Sequence, residues 1–219
     1  DHGRPLPRQK RLVYDSGLRV PMIVAFPHGK GAGTIDSSLV SFVDLAPTVF
    51  SLAGIEVPDY VQGQAVLGPQ KAPDRSYIFA AADRFDAFYD HMRAARDRRW
   101  KYIRHPKPDQ PYYIPVAYRE NMGAMQELLK GQQAGTLTPE QALWFRATRP
   151  KEELFDTWKD PYELNNLAED PAYAEKLTEL REATTQWQES YGDLGKLPEK
   201  EVLTMMWGED WKQPKVNAP

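Results

Sequence analysis

One long amphipathic segment near the carboxyl end of the chain places the strongest constraint on the fold. Apolar, aromatic or small side chains recur in it at spacings of three and four residues, at Tyr173, Leu177, Leu180, Thr184, Trp187 and Tyr191. Asp170 and Pro171 are typical of a helix start, and Gly192 is typical of a helix end. The pattern predicts a helix with a single apolar face, which has to lie across a sheet, and it assigns Trp187 to the core.

Strand patterns supply that sheet. The apolar residues 77–81 predict one strand. Residues 91–96 and 99–104 predict an antiparallel hairpin that turns at residues 97–98. Together with the long helix, these strands predict a small α+β subdomain over residues 71–219, an antiparallel sheet with one long helix on a face.

An insertion is expected within this subdomain, over residues 106–150. Its sequence predicts one helix around residues 119–130. A shorter helix opens at Thr138, where Pro139 takes the first helical position and Gln141 completes the spacing of a capping box.

The first third of the chain follows a different pattern. Residues 20–26 form a continuous apolar run closed by Pro27, which predicts a strand buried on both faces. Residues 44–54 predict a helix bounded by an aspartate and a glycine. Residues 63–74 are rich in Gly, Pro and Gln without periodicity and predict a linker. The expected fold class is therefore α/β: residues 1–70 form the end of an α/β domain, and the α+β subdomain follows.

Composition excludes several functions. The formal net charge of -3 gives the chain no overall attraction for nucleic acid or anionic membranes. Cysteine is absent, so disulfides and thiolate chemistry are excluded within these 219 residues. No apolar run approaches the roughly 18 residues of a transmembrane helix, so no span is predicted. Alternate residues of a hairpin face opposite sides, so the basic residues between positions 93 and 104 would not all form one patch, which favours a solvated sheet face over a nucleic-acid surface.

The first ten residues contain candidate site residues. Asp1 and His2 offer a carboxylate oxygen and an imidazole nitrogen just before Gly3, and a sharp turn would direct both at one metal ion. A surface dipeptide is the alternative interpretation. Lys10 is a solvated charge unless an anion lies beside it.

The spacing of a larger set of residues decides between these interpretations. Asp1-His2-Gly3, Lys10, Tyr14, Gly17 and Arg19-Val20-Pro21 resemble, in order and spacing, the sulfatases of the alkaline phosphatase superfamily. Six later stretches also resemble that family, at residues 43–48, 52–55, 92–97, 100–103, 153–156 and 160–168. Within it, the insertion with Tyr112-Tyr113 and the run from Glu153 to Trp187 look most like the heparan N-sulfatase (sulfamidase) branch.

This resemblance implies a fold and an activity. Residues 1–70 would be the C-terminal end of the alkaline phosphatase-like catalytic domain. The implied reaction is hydrolysis of sulfate esters or sulfamates of sulfated sugars of the glycosaminoglycan type. Asp1 and His2 would bind a divalent metal, expected to be Ca²⁺, with His2 also counted as catalytic. Lys10 would hold the sulfate as a catalytic and substrate-binding residue.

The resemblance also implies parts that this chain lacks. The formylglycine nucleophile, made from cysteine or serine, is expected in an upstream N-terminal part of the catalytic domain, because the chain has no cysteine and no Ser-x-Pro-x-Arg sequence. The chain alone is therefore expected to be inactive. A periplasmic, secreted or lysosomal location is expected from the family.

A charged stretch after the first predicted strand of the subdomain is a candidate for sugar recognition. Asp83, Arg84 and His91 would reach the rim of the substrate pocket, with Arg84 pairing with a uronate carboxylate or a sulfate. An ordinary charged loop is the alternative. For the whole chain, two other functions stay open: a phosphonate or phosphodiester hydrolase of the same superfamily, and a non-catalytic carbohydrate-binding or interaction module.

Overall fold

The core of the molecule is a four-stranded antiparallel sheet. The computed structural model describes residues 6–85 and 88–209, except for the side chains of residues 84, 85 and 88. The strands follow one another in the sheet in chain order, as β1 (Ile78–Phe85), β2 (Phe88–Arg96), β3 (Trp100–Arg104) and β4 (Glu152–Asp156). This sheet confirms the predicted strand at residues 77–81 and the predicted hairpin.

The turn of the hairpin is built on one aspartate. The Oδ1 atom of Asp97 accepts hydrogen bonds from the backbone N–H groups of Arg99, at 2.7 Å, and of Trp100, at 2.5 Å. The Asp97 N–H in turn donates to the carbonyl oxygen of Trp100 at 3.0 Å. Aspartate therefore takes the place of the glycine-containing turns that are common in short hairpins.

The long helix covers one face of the sheet, as predicted. It is α6 (Ala174–Tyr191), which begins after a 3₁₀ turn at Pro171–Tyr173 and ends at Gly192 in the left-handed region, with φ of 63°. Its Leu177 and Leu180 pack with Leu154 of β4. The Trp187 ring lies parallel to that of Phe79 in β1, with centroids 5.1 Å apart. These contacts confirm that Trp187 is a packing residue.

The insertion and the amino-terminal loop cover the opposite face. The insertion contributes three helices, α3 (Ala117–Glu120), α4 (Gly123–Ala134) and α5 (Pro139–Ala142). The predicted capping box of α5 is present between Thr138 and Gln141. On this side, Tyr14, Met125 and Phe155 belong to one buried cluster. The sheet is therefore buried on both faces.

The prediction of one continuous helix over residues 119–130 was wrong, because this segment contains two helices, α3 and α4. The chain leaves helical geometry at Met122, whose ψ is 133°. Arg119 of α3 and Met125 of α4 are both buried. Six residues apart on a continuous helix, they would lie about 120° apart around the axis. The break allows both side chains to face the core.

Residues 6–70 contain two short helices, α1 (Asp15–Leu18) and α2 (Leu45–Leu52), besides 3₁₀ turns. The second confirms the helix predicted over residues 44–54. The strand predicted over residues 20–26 was wrong: this segment is irregular, and Ile23 is 94% exposed. All four strands of the described residues lie between residues 78 and 156, so no neighbouring strand accepts the hydrogen bonds that this apolar run would need.

The stretch predicted as a linker packs against α2. Gln70 N donates to Ser51 Oγ at 2.9 Å, and Val66 N donates to Thr48 Oγ1 at 3.0 Å. The buried Asp44 carboxylate accepts a bond from Arg75 at 2.6 Å. The domain boundary near residue 70 stays a prediction, although the connecting residues are ordered on the helix.

The last described element is α7 (Glu199–Trp207), for which the sequence offered no periodicity. Within residues 6–85 and 88–209, every helix is too short or too polar to cross a bilayer.

Candidate functional site

Lys10 projects from a tight loop, the Lys10 loop (residues 8–17), in which residues 12–15 are buried. The Lys10 side chain is exposed, whereas Val13 and Tyr14 are each only 1% exposed. Two residues beside Lys10, Arg8 and Arg11, adopt positive φ values of 58° and 79°. The chain therefore reverses sharply on either side of Lys10, which leaves its ammonium group on the outside.

Gly17 makes this reversal possible. A Cβ atom at Gly17 would lie 2.2 Å from the carbonyl oxygen of Gln9 and 2.8 Å from that of Leu12. Both obstacles are backbone atoms, so neither moves without displacing the loop. The Ser16 hydroxyl closes the same loop by donating to the carbonyl oxygen of Arg8 at 2.5 Å.

Tyr14 anchors the loop to the sheet through a buried carboxylate. Its hydroxyl donates to Glu153 Oε2 at 2.7 Å, and His105 Nε2 lies 2.8 Å from the same oxygen. The Tyr112 hydroxyl donates to the other oxygen at 2.5 Å. Burial alone would raise the pKa of Glu153, but the bonds from His105 and the two tyrosines outweigh it and hold the pKa below its usual range.

Asp15 forms a second anchor. Its carboxylate accepts bonds from Lys101 Nζ at 2.9 Å and from Arg96 Nε at 3.0 Å, while its N–H donates to Glu163 Oε2 at 2.7 Å. Burial favours a higher pKa at Asp15, yet Lys101 and Arg96 bring it below the ordinary value. At Glu163, burial raises the pKa. The Lys10 loop is thus joined to β2 and β3 by charges that are almost fully removed from water.

The stretch 160–168, singled out in the sequence, holds this anchor in place. Asp160 Oδ2 accepts the backbone N–H groups of Leu164 and Asn165, each at 2.8 Å. Asn166 Oδ1 accepts the N–H of Leu154 in β4 at 2.9 Å. Glu163 lies between these bonds with φ of 55°. Arg8 donates to the Glu163 carbonyl oxygen at 2.7 Å, which completes the connection to the loop.

Five of the six basic residues of the hairpin are ion-paired, and the sixth, Arg104, donates to Gln188 and Thr185 at 3.0 and 2.9 Å, so the prediction of a solvated face was wrong. Lys101 is fully buried and Arg93 is 2% exposed. Arg99 pairs with Asp156 at 2.5 Å. Alternation along the strands does separate these charges onto two faces, but both faces are covered by other parts of the chain. Among these residues, Arg98 is exposed and pairs with a surface carboxylate.

Asp83 and His91 lie together, on neighbouring strands. Arg93, which sequence reasoning did not assign to the site, donates to both Asp83 oxygens, at 2.7 and 3.0 Å, and to Asp193 beyond α6. His91 Nε2 is 4.0 Å from Asp83 and 3.8 Å from Asp193, and its residue is 5% exposed. Burial, followed by the charge of Arg93, lowers the pKa of His91. Asp193 directly follows Gly192, the glycine that ends α6, and this position next to a predicted helix end is the sequence signal that could have identified it.

The predicted substrate contacts of this cluster stay predictions. The side chain of Arg84 lies outside the described residues, and His91 is buried. Asp83 lines a small cavity of about 40 Å³ beneath the Lys10 loop, together with Arg11 and Leu12. Asp83 and the Lys10 loop therefore line the same cavity.

The predicted metal ligands Asp1 and His2 also lie outside the described residues. Within the described ranges, no group of three or more His, Asp or Glu side chains is placed to hold a metal ion. The described residues therefore do not form a metal site by themselves.

The sequence of the chain is similar to those of known sulfatases. Residues 8–114 match the family model described as N-sulphoglucosamine sulphohydrolase, C-terminal. The chain is 52% identical, over its whole length, to an ulvan-active sulfatase of Formosa agariphila, of which it covers 37%. It is 27% identical over 206 residues to human N-sulphoglucosamine sulphohydrolase, covering 86% of this chain and 40% of the human protein.

A solved structure of a 2-O GAG sulfatase overlays on 68% of this chain and 25% of its own, with 24% identity and a TM-score of 0.45. The chain spans less than half the length of the two curated relatives. The full-length identity and the matched model agree with the spacing around Lys10, Tyr14 and Gly17. Residues 8–114 match the C-terminal region of a sulfatase family model, and the chain as a whole is similar to sulfatases.

Proposed function

We propose that the protein containing this chain hydrolyses sulfate esters or sulfamates of sulfated sugars, and that this chain supplies Lys10 to the active site. The observation that carries the proposal is the exposed Lys10 ammonium on a loop that is fixed by two buried anchors. The similarity to an ulvan-active sulfatase and to N-sulphoglucosamine sulphohydrolase supports the class of substrate.

The chemistry assigned to Lys10 follows from its charge. A compact ammonium placed against a sulfonyl group neutralises the negative charge that builds on its oxygens during attack at sulfur. The anchors hold the loop before substrate arrives, so little ordering remains to be done when it binds. Lys10 is therefore proposed to bind the sulfate and to stabilise the transition state.

The remaining groups of the active site are proposed from the family. Asp1 and His2 would hold a divalent metal, expected to be Ca²⁺, which supplies further charge stabilisation when bound. The formylglycine nucleophile would come from residues outside this chain, which contains no cysteine. On this proposal, the isolated chain has no sulfatase activity.

The exposed apolar side chains of the first third support a partner surface. Ile23 and Ile35 are 94% and 97% exposed, and Phe42 and Val49 are 68% and 63% exposed. An interface would remove these apolar side chains from water. We propose that these side chains pack against the remainder of the catalytic domain, whose sheet would supply the neighbouring strands that residues 20–26 lack among the described residues.

Substitution of Lys10 tests the proposed function. In the intact protein, Lys10→Ala is expected to lower kcat/KM on sulfated saccharides by about 100-fold or more, because one transition-state donor is lost. Lys10→Arg is expected to retain part of the activity. The measurement is sulfate release across a panel of sulfated sugars.

The matched control is Lys159→Ala, which removes the same charge from an exposed position. It should leave the kinetics unchanged. Equal turnover in Lys10→Ala and in the unmodified protein would refute the role of Lys10. Turnover of phosphodiesters or phosphonates, with none of sulfated sugars, would refute the proposed reaction.

A further inference from the structure

A small cavity lies beneath the Lys10 loop, between it, the start of the insertion and the first two strands. Its volume is about 40 Å³. The lining includes Arg11, Leu12, Asp83, Val116, Arg119 and Trp144. One water needs roughly 10–15 Å³ of such space, so the cavity is large enough for a small polar group as well as for water.

Two buried donors on the cavity wall have no acceptor. These are Arg119 Nε and the indole Nε1 of Trp144, and each residue is 3% exposed. Arg119 uses one terminal nitrogen to donate to the Lys10 carbonyl oxygen at 3.0 Å, and its guanidinium carbon lies 5.6 Å from the centre of the Trp144 ring. A buried N–H group without a partner is rare in folded proteins, so this pair of donors indicates a missing acceptor.

The missing acceptor is expected to be negatively charged. Asp83 and Asp90 line the same cavity, but they pair with Arg93 at 2.7 Å and with Arg149 at 2.6 Å. Arg119 forms no ion pair with any carboxylate of the described residues. Burial, followed by the nearby charge of Arg11, lowers the pKa of Arg119. A water molecule would satisfy the donors and leave this charge uncompensated, whereas an oxyanion would do both.

We propose that this cavity is an oxyanion-binding subsite, which takes a carboxylate or second sulfate of the sulfated saccharide on Arg119 and Trp144. The assignment to a saccharide rests on the proposed function; the binding of an oxyanion does not. Because Arg119 also holds the Lys10 carbonyl oxygen, the subsite lies next to the proposed sulfate-binding residue. The subsite would thus select saccharides with a second anionic group.

Binding of the anion is tested without turnover. The intact protein is labelled with ¹⁵N at the tryptophan indoles, and sodium sulfate is titrated against sodium chloride of equal ionic strength. The resonance of Trp144, assigned by its loss in Trp144→Phe, is expected to shift saturably with sulfate alone. Arg119→Met should abolish the shift, and Arg98→Met, at the exposed pair with Asp74, should preserve it.

The opposite results would overturn the subsite. A Trp144 resonance that does not respond to sulfate, that responds equally to chloride, or that still shifts in a folded Arg119→Met protein would show that the cavity holds only water. Arg119→Lys provides a second variant in case the methionine variant does not fold. It keeps the charge but lacks the Nε donor, and it should weaken the apparent affinity for sulfate about tenfold.

Kinetics on two substrates separate a saccharide from free sulfate as the ligand. In Arg119→Lys and Trp144→Phe, the ratio of kcat/KM for a sulfated disaccharide with a uronate or second sulfate, over that for a monosulfated sugar, is expected to fall about tenfold. An unchanged ratio would overturn the saccharide assignment. Failure of the unmodified protein on every sulfated sugar would refute the proposed function and leave the indole titration as the test of the anion site.

Discussion

At the residue scale, single backbone positions determine where Lys10 lies. Gly17 leaves no space for a side chain, because two carbonyl oxygens of the same loop occupy it. Arg8 and Arg11 adopt left-handed backbone conformations that glycine would reach more easily. Contacts of their side chains with tyrosine rings offset the strain of these conformations. Arg8, for example, lies 4.1 Å from the centre of the Tyr14 ring.

Gly17→Ala is expected to destabilise the fold by about 1–3 kcal/mol, since the added methyl group has to displace the backbone. The matched control is Gly123→Ala, because a Cβ atom there meets open space. Urea denaturation of both variants measures the difference. A Gly17→Ala protein as stable as the Gly123→Ala protein would contradict the close approach.

At the scale of elements, the prediction of α6 held because its periodicity was complete, whereas β4 was not predicted as a strand. The helix α6 has one covered face, so its period of 3.6 was visible in the sequence. The strand β4 is buried on both faces and shows no alternation, so its sequence indicates a family-like stretch but not a strand. The strand expected at residues 20–26 had the right composition, but a strand also requires partners, which composition does not report.

The end of α6 is joined to the sheet by an ion pair that predicts a dependence of stability on pH. Burial would raise the pKa of Asp193, but the bonds from Arg93 and Gln188 outweigh it and hold the pKa well below 3.8. A carboxylate whose pKa is lowered by folding stabilises the fold fully at pH values above its pKa in the unfolded chain. This stabilisation is lost as the pH falls toward the pKa in the folded protein.

Asp193→Asn is therefore expected to lower the free energy of unfolding at pH 7 by about 1–3 kcal/mol, with a difference that shrinks below pH 3.8. Urea midpoints between pH 7 and pH 3 measure this. Asp59→Asn, at an exposed position, is the control and should match the unmodified protein throughout. A deficit in Asp193→Asn that is constant over the whole range would contradict the ion pair.

At the scale of the whole molecule, the candidate site depends on contacts between distant parts of the chain. Spacing alone identified Lys10, Tyr14 and Gly17, because a family pattern records which residues recur. It did not reveal that Glu153 and Glu163 hold the loop, since nothing local distinguishes a buried carboxylate from a solvated one. Arg119 was equally hidden, because its burial arises from a break in the helix.

Lys101→Met tests this long-range connection. It leaves the Asp15 and Glu163 carboxylates buried without the ammonium group, which is 2.9 Å from Asp15 and 3.7 Å from Glu163. The expected loss of stability is about 3–5 kcal/mol. Hydrogen exchange should report faster opening at Val13 and Tyr14. Lys159→Met, at the surface, should change stability by less than about 0.5 kcal/mol, and a similar small effect in Lys101→Met would argue against the anchor.

The distance along the chain between the Lys10 loop and its anchors has a consequence for biosynthesis. Tyr14 binds Glu153, and the Asp15 N–H binds Glu163, so each contact spans well over one hundred residues. At translation rates of about 5–20 residues per second, the loop is made roughly 7–30 s before its anchors. During that interval Val13 and Tyr14 lack their binding partners. The proposed sulfate-binding lysine therefore reaches its working position only late in synthesis, and slow translation would lengthen its exposure to chaperones and proteases.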